Sequence, residues 1–509
     1  MQNRVDELKL KIQFWLKNSD NKLFFAIFIF AIVIRFYFFW LTKTQPVWWD
    51  AADYLSLAKV LGKGLDLDYM FSPRRPFLLA LIWGLFFKIG LGEISLRVLQ
   101  VFFSLAGIVG MYLVGKSLFN KKIALIASFL LAIFWQHLFF TYRMMTEIPT
   151  LTFFLFALYF FWEGYIKKKE KKLVWFGVFL GLALLTRAAT LMMGISFAIF
   201  IIIHDKFKFL KNKDLWKAIL IILLLLSTFL AFIYIREGSN PLQRFLGSGE
   251  GRFKMEEAMG CEGMLICISF FYEYFGLALL LPLILGWGIL FLNLFLNLDL
   301  VWKAKNEKLQ RYFFLFVLFL IPFLFHCYFS NHFEPRYLLF GFPSLLLILS
   351  EGILKIYNWI KKYKKSLAIF AVFLILAFGG YYQINQANEI IKSKSTSYLE
   401  VKEAGLWLKE NTLLNETVMT RSYYQNYYYS ERKTYEIVFS TNETVFLEDL
   451  KEKKPDYFIL SVFEFHEEFL YEFPEAHPDI MTPIKVYKQG EQPVLMIYKI
   501  NNSYKEAIV

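Results

Sequence analysis

The chain has 509 residues, of which 57% are hydrophobic, and its formal net charge is +13. A soluble protein of this length could not bury so much apolar surface, so the composition excludes that class and indicates a chain partly covered by lipid. The lysines stand in short clusters between apolar segments, where they orient a chain in a membrane, so the positive charge does not indicate a nucleic-acid partner.

Eleven apolar segments predict membrane-spanning helices, because each approaches the length that crosses a hydrocarbon core of roughly 30 Å. In chain order they are Leu23–Leu41, Ile94–Val114, Ile123–Phe140, Ile148–Ile166, Leu173–Thr186, Thr190–His204, Ala218–Ile235, Ile268–Leu296, Tyr312–Phe329, Tyr337–Tyr357 and Ser366–Ile384. No small-residue cleavage site follows the first segment, so we expect it to remain as an anchor. Residues 1–21 precede it and mix lysines with Leu, Phe and Trp, which predicts a cytoplasmic amphipathic helix on the membrane surface.

One further apolar run, Phe77–Ile89, decides the sidedness. It covers only about 20 Å as a helix, which is too short to cross a bilayer comfortably. If it does not cross, the lysine-rich clusters between the spans all lie on one side, as the positive-inside rule requires. Those clusters are Lys116–Lys122, Lys167–Lys172, Lys206–Lys217, Lys303–Arg311 and Lys361–Lys365. We therefore predict that Phe77–Ile89 is a helix on the outer surface and that the clusters are cytoplasmic.

This topology brings polar side chains from five separate stretches of chain to the outer face. They are Asp50, Asp53, Arg74, Arg75, Arg143, Glu147, Arg187, His332, Glu334 and Arg336. Ionisable side chains at the edge of a membrane are costly to accommodate, so their convergence at one depth is the strongest indication of function in the chain.

The acidic residues are candidates for proton transfer. Partial burial at the membrane edge is expected to raise the pKa of Asp50 and to suit it as a general base. Its alternative role is an N-cap for a helix that starts at Ala51. Asp53 shares a helix face with Asp50, or is an ordinary first-turn acid. Glu147 is either a second carboxylate facing Asp50, which could hold a metal ion or orient an acceptor, or an acid at a helix start.

The arginines are candidates for binding an anion. Arg74 and Arg75 could hold a phosphate through bidentate contacts or could meet lipid headgroups. Arg187 ends a span on the predicted outer side, against the positive-inside trend, and an anionic ligand would explain it. The turn His332–Tyr337 gathers a His, a Glu and an Arg, and within it Arg336 is the preferred phosphate contact.

Beyond Ile384 the composition becomes polar. Tyr398–Lys409 has helical spacing of apolar residues, and Asp456–Val462 and Val494–Ile500 have the composition of strands. Residues 385–509 therefore predict a small α/β domain on the extracytoplasmic side. The tyrosine-rich run Tyr423–Tyr429 is interpreted as packing within this domain.

The three cysteines leave the redox state open. Cys261 and Cys267 lie in a predicted outer loop, where a disulfide between them and two reduced thiols are both acceptable. Cys327 lies in a predicted span and is interpreted as packing.

Taken in order, these motifs resemble the C-type membrane glycosyltransferases. The nearest branch contains the protein O-mannosyltransferases and the bacterial aminoarabinose transferase that modifies lipid A. The likeness covers roughly residues 22–357. It is carried by Asp50 with Tyr54, Arg75-Pro76-Phe77, Glu147-Ile148-Pro149, Gly181–Arg187 and Glu334–Leu339. One position departs from the pattern, because many relatives carry Glu directly after the first Asp, where this chain has Ala51.

The resemblance implies a polytopic α-helical membrane protein of about 11 transmembrane helices (22–384), followed by the extracytoplasmic α/β domain (385–509). It implies that Asp50 is the catalytic carboxylate and Glu147 the second acid. The substrate-binding residues would be Asp53, Tyr54, Arg74, Arg75, Arg143, Arg187, His332, Glu334, Arg336 and Tyr337. A divalent metal ion is left open, with Asp50 and Glu147 as its ligands if one is used.

We therefore interpret the chain as an integral membrane glycosyltransferase. It would transfer a sugar from a polyprenyl-phosphate or dolichyl-phosphate donor to a hydroxyl on a protein, lipid or glycan acceptor at the outer face, with inversion at the anomeric carbon. The alternatives are a polytopic transporter or lipid flippase, and a glycan-binding membrane protein. Transporters usually contain paired internal repeats, and the sequence contains no clear repeat.

Overall fold

The protein is described by a computed structural model that covers residues 7, 17–65, 75–238, 240–242, 258–297 and 306–501. Most of the predicted amphipathic helix in residues 1–21 lies outside the described residues, and so does Arg74.

The apolar part of the chain is a bundle of α-helices. They are α1 (Ser19–Thr42), α2 (Trp49–Lys63), α3 (Leu78–Lys88), α4 (Glu93–Leu118), α5 (Lys121–Ile133), α6 (Trp135–Thr141), α7 (Glu147–Phe161), α8 (Leu173–Thr186), α9 (Leu191–Asp205), α10 (Lys213–Glu237), α11 (Gly260–Leu296), α12 (Glu307–Cys327), α13 (Phe342–Lys361) and α14 (Lys365–Lys394). The protein is thus a multi-pass membrane protein. Within the described ranges, seven helices are long and apolar enough to cross a membrane, and the bent pair α5–α6 would be an eighth.

Each of the eleven predicted spans coincides with one of these helices or with the bent pair. Three of these helices, α7, α8 and α13, are not among those long and apolar enough to cross a membrane by themselves. Helices α7 and α8 have only 15 and 14 residues. The number of crossings and the sidedness of the loops remain predictions.

Two of the bundle helices are broken. The backbone of Phe134 is extended and separates α5 from α6, which are bent by 53°. Helix α11 is interrupted at Gly276, whose φ of 63° and ψ of 164° are not helical. A positive φ costs glycine little because it has no Cβ, so the break in α11 occurs where the chain tolerates it.

The predicted surface segment Phe77–Ile89 is the helix α3, which packs against α2. The two helices approach closely at Gly62 and Gly84, where a Cβ on Gly62 would collide with the Gly84 carbonyl oxygen. Only glycine permits this separation. The pair α2–α3 carries the first group of predicted site residues.

The C-terminal domain is a five-stranded sheet with helices on both faces. Its helices are α15 (Leu399–Asn411), α16 (Tyr423–Ser430), α17 (Glu443–Lys453) and α18 (Phe469–Ala476), and its strands are β1 (Val418–Thr420), β2 (Thr434–Tyr435), β3 (Tyr457–Ser461), β4 (Met481–Gln489) and β5 (Gln492–Ile500). The strand order is β2-β1-β3-β5-β4. Strands β1, β2 and β3 run parallel, while β5 pairs antiparallel with β3 and β4.

Side-chain alternation along β3 builds both halves of this domain's core. Phe458 packs with α17 and α18, and Ile459 packs with α15 on the opposite face. The predicted helix Tyr398–Lys409 and both predicted strands are therefore present. The helix α14 that leads into the domain continues past Ile384 to Lys394.

The C-terminal domain is docked on α2 through α16. Tyr428 and Tyr429 share a buried cluster with Ala51 and Leu55 of α2. The Tyr429 hydroxyl accepts a hydrogen bond of 2.6 Å from the Val47 amide. The tyrosine-rich run thus packs against the membrane domain as well as within its own domain.

The disulfide joins Cys267 of α11 to Cys327 of α12, and Cys261 is free and exposed. The interpretation of Cys327 as a packing residue is therefore wrong. The error arose because sequence spacing favoured Cys261 as the partner, whereas the ends of two neighbouring helices bring Cys327 closer. The bond ties together the two helices that precede the turn His332–Tyr337.

Candidate active site

Asp50 lies in the first turn of α2. The helix begins at Trp49, and its N-cap residue Trp48 makes no side-chain capping bond. Asp50 is therefore inside the helix, so the alternative that it is an N-cap for a helix starting one residue later is wrong. Its side chain is 35% exposed, which leaves it accessible to a substrate.

Arg75 joins the two aspartates of α2. Its Nη2 donates a hydrogen bond of 2.9 Å to Asp50 Oδ1, and its Nε lies 2.8 Å from Asp53 Oδ2. The guanidinium also lies 4.7 Å from the centre of the Tyr54 ring. Asp53 and Tyr54 are buried. These two predicted site residues therefore hold Arg75 in position.

Arg336 connects three carboxylates. Its Nη2 donates to Asp50 Oδ2 at 3.0 Å, its Nε lies 2.6 Å from Glu334 Oε2, and its Nη1 lies 3.7 Å from Glu147 Oε1. Arg187 donates to the same Glu147 oxygen at 2.9 Å. Glu147 is fully buried, so it faces these guanidinium groups and not an open cleft. These five side chains form one ion-pair network.

The turn His332–Tyr337 supplies the remaining predicted residues. The buried Tyr337 donates a hydrogen bond of 2.8 Å to Glu334 Oε1, which fixes Glu334 beside Arg336. His332 is 57% exposed, and its Nε2 lies 3.5 Å from the same oxygen. Tyr337 thus supports the network, while His332 lies at its periphery.

The two aspartates of α2 have pKa values shifted in opposite directions. Burial alone would raise the pKa of Asp50, but Arg75 and Arg336 outweigh it and hold that pKa well below its usual range. The expectation of a raised pKa at Asp50 is therefore wrong, because sequence could not reveal two arginines in contact with it. Burial raises the pKa of Asp53 to about 6, since Arg75 compensates only in part and Asp50 adds repulsion.

Arg143 differs from the other arginines of the site. The Cζ atom of its guanidinium lies 4.1 Å from the centre of the Trp48 ring and 5.5 Å from the centre of the Phe139 ring. The guanidinium makes no hydrogen bond or ion pair with the part of the chain that the structure describes. Burial and the positive charge of Arg336 lower its pKa to about 9, so it remains cationic at neutral pH.

A cavity of about 290 Å³ lies against Arg143 and Arg336. Its walls also include Trp135, Gln136, Phe139, Glu273, Glu334 and Ile390. Arg336 lines this cavity and also contacts Asp50, so it connects the two.

The carboxylates do not fit a resident divalent metal ion. Asp50 and Glu147, the proposed ligands, each face guanidinium groups. Among the described residues, no three His, Cys, Asp or Glu side chains are grouped to hold a metal ion. Divalent cations require several oxygen ligands, and this arrangement supplies cations in their place.

Gln136 and Glu273 line the cavity but are absent from the set predicted from sequence. Glu273 lies inside the predicted span Ile268–Leu296, and a carboxylate within a span is itself a signal of function. Arg35 carries the same signal in the first span. It is fully buried, and its Nε donates a hydrogen bond of 2.8 Å to Ser104 Oγ, so it is part of the helix packing.

Residues 74–232 match the family model described as dolichyl-phosphate-mannose-protein mannosyltransferase. No curated protein sequence matches the chain.

Several solved structures share its fold. ArnT from Cupriavidus metallidurans, bound to undecaprenyl phosphate, is 12% identical with a TM-score of 0.62, covering 93% of this chain and 97% of that one. The archaeal oligosaccharyltransferase AglB from Archaeoglobus fulgidus, in complex with an inhibitory peptide and a dolichol-phosphate, is 14% identical with a TM-score of 0.64, covering 88% and 70%. The arabinofuranosyltransferase AftD from Mycobacteria is 12% identical with a TM-score of 0.52, covering 92% and 41%.

At these identities the structural likeness establishes the fold alone, and the family model adds a match in sequence. Together they support the resemblance to the C-type membrane glycosyltransferases that the motifs predicted, in fold over most of the chain and in sequence over residues 74–232.

Proposed function

We propose that the protein transfers a single sugar from a polyprenyl-phosphate donor to a hydroxyl acceptor at the outer face of the membrane. The observation that carries this proposal is the shared position of Arg336, which lines the cavity and contacts Asp50. A donor phosphate in the cavity and an acceptor hydroxyl at Asp50 would then be neighbours. Relatives in fold that were solved with undecaprenyl phosphate or dolichol-phosphate support a lipid phosphate as donor.

Arg143 is the strongest candidate for the donor phosphate. Arg75, Arg187 and Arg336 are each paired with carboxylates, whereas Arg143 is stacked on aromatic rings and has no such partner among the described residues. A guanidinium can bind a phosphate through two parallel hydrogen bonds. The phosphate would be stabilised most by Arg143, because the charge of this cation is not already neutralised by a carboxylate.

The reaction is a single displacement at the anomeric carbon. The acceptor oxygen attacks the anomeric carbon from one side while the bond between this carbon and the phosphate oxygen breaks on the other, so the configuration inverts. The acceptor proton passes to the Asp50 carboxylate, and the electron pair leaves with the polyprenyl phosphate. Arg143 and Arg336 stabilise the charge that develops on this leaving group.

The ion pairs of Asp50 have a consequence for this step. They keep Asp50 ionised, so that it accepts a hydrogen bond from the acceptor hydroxyl at every physiological pH. They also make it a weak base. A donor phosphate that draws Arg336 toward the cavity would loosen one of these pairs and raise the basicity of Asp50 when the donor is bound.

Glu147 has a positioning role in this scheme. It is fully buried and holds Arg187 and Arg336, so it sets the position of the cation shared with Asp50 without touching the acceptor.

Transfer by the purified protein tests the proposal. The protein in lipid nanodiscs would be given radiolabelled undecaprenyl-phosphate monosaccharides and a membrane extract as the source of acceptor. We expect labelled sugar to appear on an acceptor while undecaprenyl phosphate is released in equal amount. Release without an acceptor product would indicate hydrolysis, and no release from any donor would contradict the proposal.

A further inference from the structure

The two broken helices meet at the cavity. Gln383 of α14 accepts a hydrogen bond of 3.0 Å from the Trp135 amide at the break between α5 and α6. The same side chain donates one of 2.7 Å to the Tyr274 carbonyl beside the break in α11. Gln383 is fully buried and therefore satisfies backbone groups that both breaks leave free. In membrane proteins such interrupted backbone is tolerated where it lines a cavity or is buried in protein.

Each break puts a polar side chain on the cavity wall. Gln136 follows the first break and is 1% exposed, with its Nε2 3.4 Å from the Pro335 carbonyl and its Oε1 without a partner in the described chain. Glu273 precedes the second break. Its carbonyl accepts hydrogen bonds from Trp135 Nε1 and the Tyr382 hydroxyl, at 3.2 Å and 3.0 Å.

The carboxylate of Glu273 makes no hydrogen bond or ion pair with any residue that the structure describes. The wall therefore offers two unused hydrogen-bond acceptors, one amide oxygen and one carboxylate. The amide oxygen of Gln136 is buried without a donor and the Glu273 side chain is half-buried, so a ligand that donates hydrogen bonds would satisfy both acceptors.

We propose that Gln136 and Glu273 bind hydroxyl groups of the donor sugar and determine which sugar the protein accepts. This inference rests on the proposed function and adds to it the part of the cavity that recognises the sugar. Arg143 and Arg336 would hold the phosphate, and the two acceptors would hold the ring attached to it.

The charges of the cavity support this division. A phosphate has no proton to give to a carboxylate at neutral pH and is repelled by it, so Glu273 cannot share the phosphate with Arg143. A sugar presents several hydroxyl donors, which suit one amide oxygen and one carboxylate. Trp135 and Phe139 add flat apolar surfaces to the same walls.

The volume matches one sugar. A cavity of about 290 Å³ lies just below the range for small-molecule sites, about 300–1,000 Å³. It suits a monosaccharide on its phosphate.

Binding of two lipids to variants in nanodiscs tests the inference. The probes are undecaprenyl phosphate and, among its mannose, glucose and galactose derivatives, the one that the wild type binds most tightly. We expect Glu273→Ala to weaken binding of the glycosylated lipid by about tenfold or more, since a bond to a charged acceptor is lost. Binding of undecaprenyl phosphate should stay unchanged, which also shows that the variant is folded.

Two further variants distinguish the roles. Glu273→Gln keeps one acceptor oxygen and should lose less affinity than the alanine variant. Glu262→Ala removes an exposed carboxylate from the first turn of the same helix and should change neither affinity.

Three outcomes would overturn the inference. Glu273→Ala could weaken both lipids equally or neither of them, or the wild type could bind the glycosylated lipid no better than undecaprenyl phosphate. In each case the proposed donor class would stand. If the wild type bound neither lipid, the proposed donor class would fail and the inference with it.

Discussion

Arg336 donates a hydrogen bond from its Nη2 to Oδ2 of Asp50 at 3.0 Å. The two residues come from opposite ends of the membrane domain, 286 positions apart, and the arginine also lines the cavity. The charge state of the cavity is thereby coupled to the carboxylate that we propose as the proton acceptor.

Asp50→Asn should reduce the initial rate of sugar transfer by about 100-fold or more, as expected for loss of a general base. Arg75 and Arg336 would lose an anionic partner but remain held by Asp53 and Glu334. Undecaprenyl phosphate binding should therefore persist. Rates and lipid binding measured on the same nanodisc preparation check this, and transfer at the wild-type rate would remove Asp50 from the mechanism.

Titration of Asp53 should make the rate of transfer depend on pH. Because its pKa is raised to about 6, it gains a negative charge as the pH rises through that value and then competes with Asp50 for Arg75. A weaker pair with Arg75 makes Asp50 more basic, so the rate should rise between roughly pH 5 and pH 7. Asp53→Asn should abolish this inflection in the pH–rate profile. An unchanged inflection in that variant would assign it to another group.

Glu147→Gln should destabilise the protein by roughly 3–5 kcal/mol, because it leaves the largely buried guanidinium of Arg187 without its carboxylate and removes one of the three carboxylates around Arg336. Thermal unfolding in detergent would measure the loss. The double variant Glu147→Gln/Arg187→Gln also removes the Arg187 charge that the single variant leaves unpaired. It should therefore be more stable than the single variant. Additive losses in the double variant would show that the 2.9 Å contact between these side chains contributes little.

Glu431 forms ion pairs across the contact between the two domains. Its Oε1 lies 2.6–3.0 Å from the ammonium groups of Lys59, Lys63 and Lys409. Glu431→Gln should therefore accelerate amide hydrogen exchange in α2 and α16, where the domains meet, and leave β4 and β5 unchanged. Glu410→Gln changes an exposed acid of the same domain and serves as the control. Equal exchange in both variants would exclude an electrostatic contribution to docking.

Cys261 provides a test of sidedness. It is free and exposed, and its only cysteine companions in the chain are joined to each other. A membrane-impermeant maleimide should label it in intact cells if the first turn of α11 is outside. Labelling that appears only after the membrane is opened would reverse the predicted topology, and with it the face at which transfer occurs.

Local signals account for what sequence predicted correctly. Long apolar runs mark helices wherever they occur, so all eleven predicted spans are helical even though α7 and α8 are short. Charged residues flanking those runs indicated most of the candidate site, whose side chains the structure brings together, because an arginine or carboxylate at the edge of a membrane is costly to accommodate. Alternating apolar residues likewise identified β3 and β5 of the C-terminal domain.

Pairing between distant residues was decided only by the tertiary structure. Sequence contains no indication that Arg336 would contact Asp50, so it could not predict the direction of the Asp50 pKa shift. It also could not choose Cys327 over Cys261 as the partner of Cys267, because a disulfide depends on the distance between helix ends. Composition and periodicity determined which segments are helical, and they predict which residues lie near the membrane edge. Their charge states, partners and access to the cavity depend on packing between helices far apart in the chain.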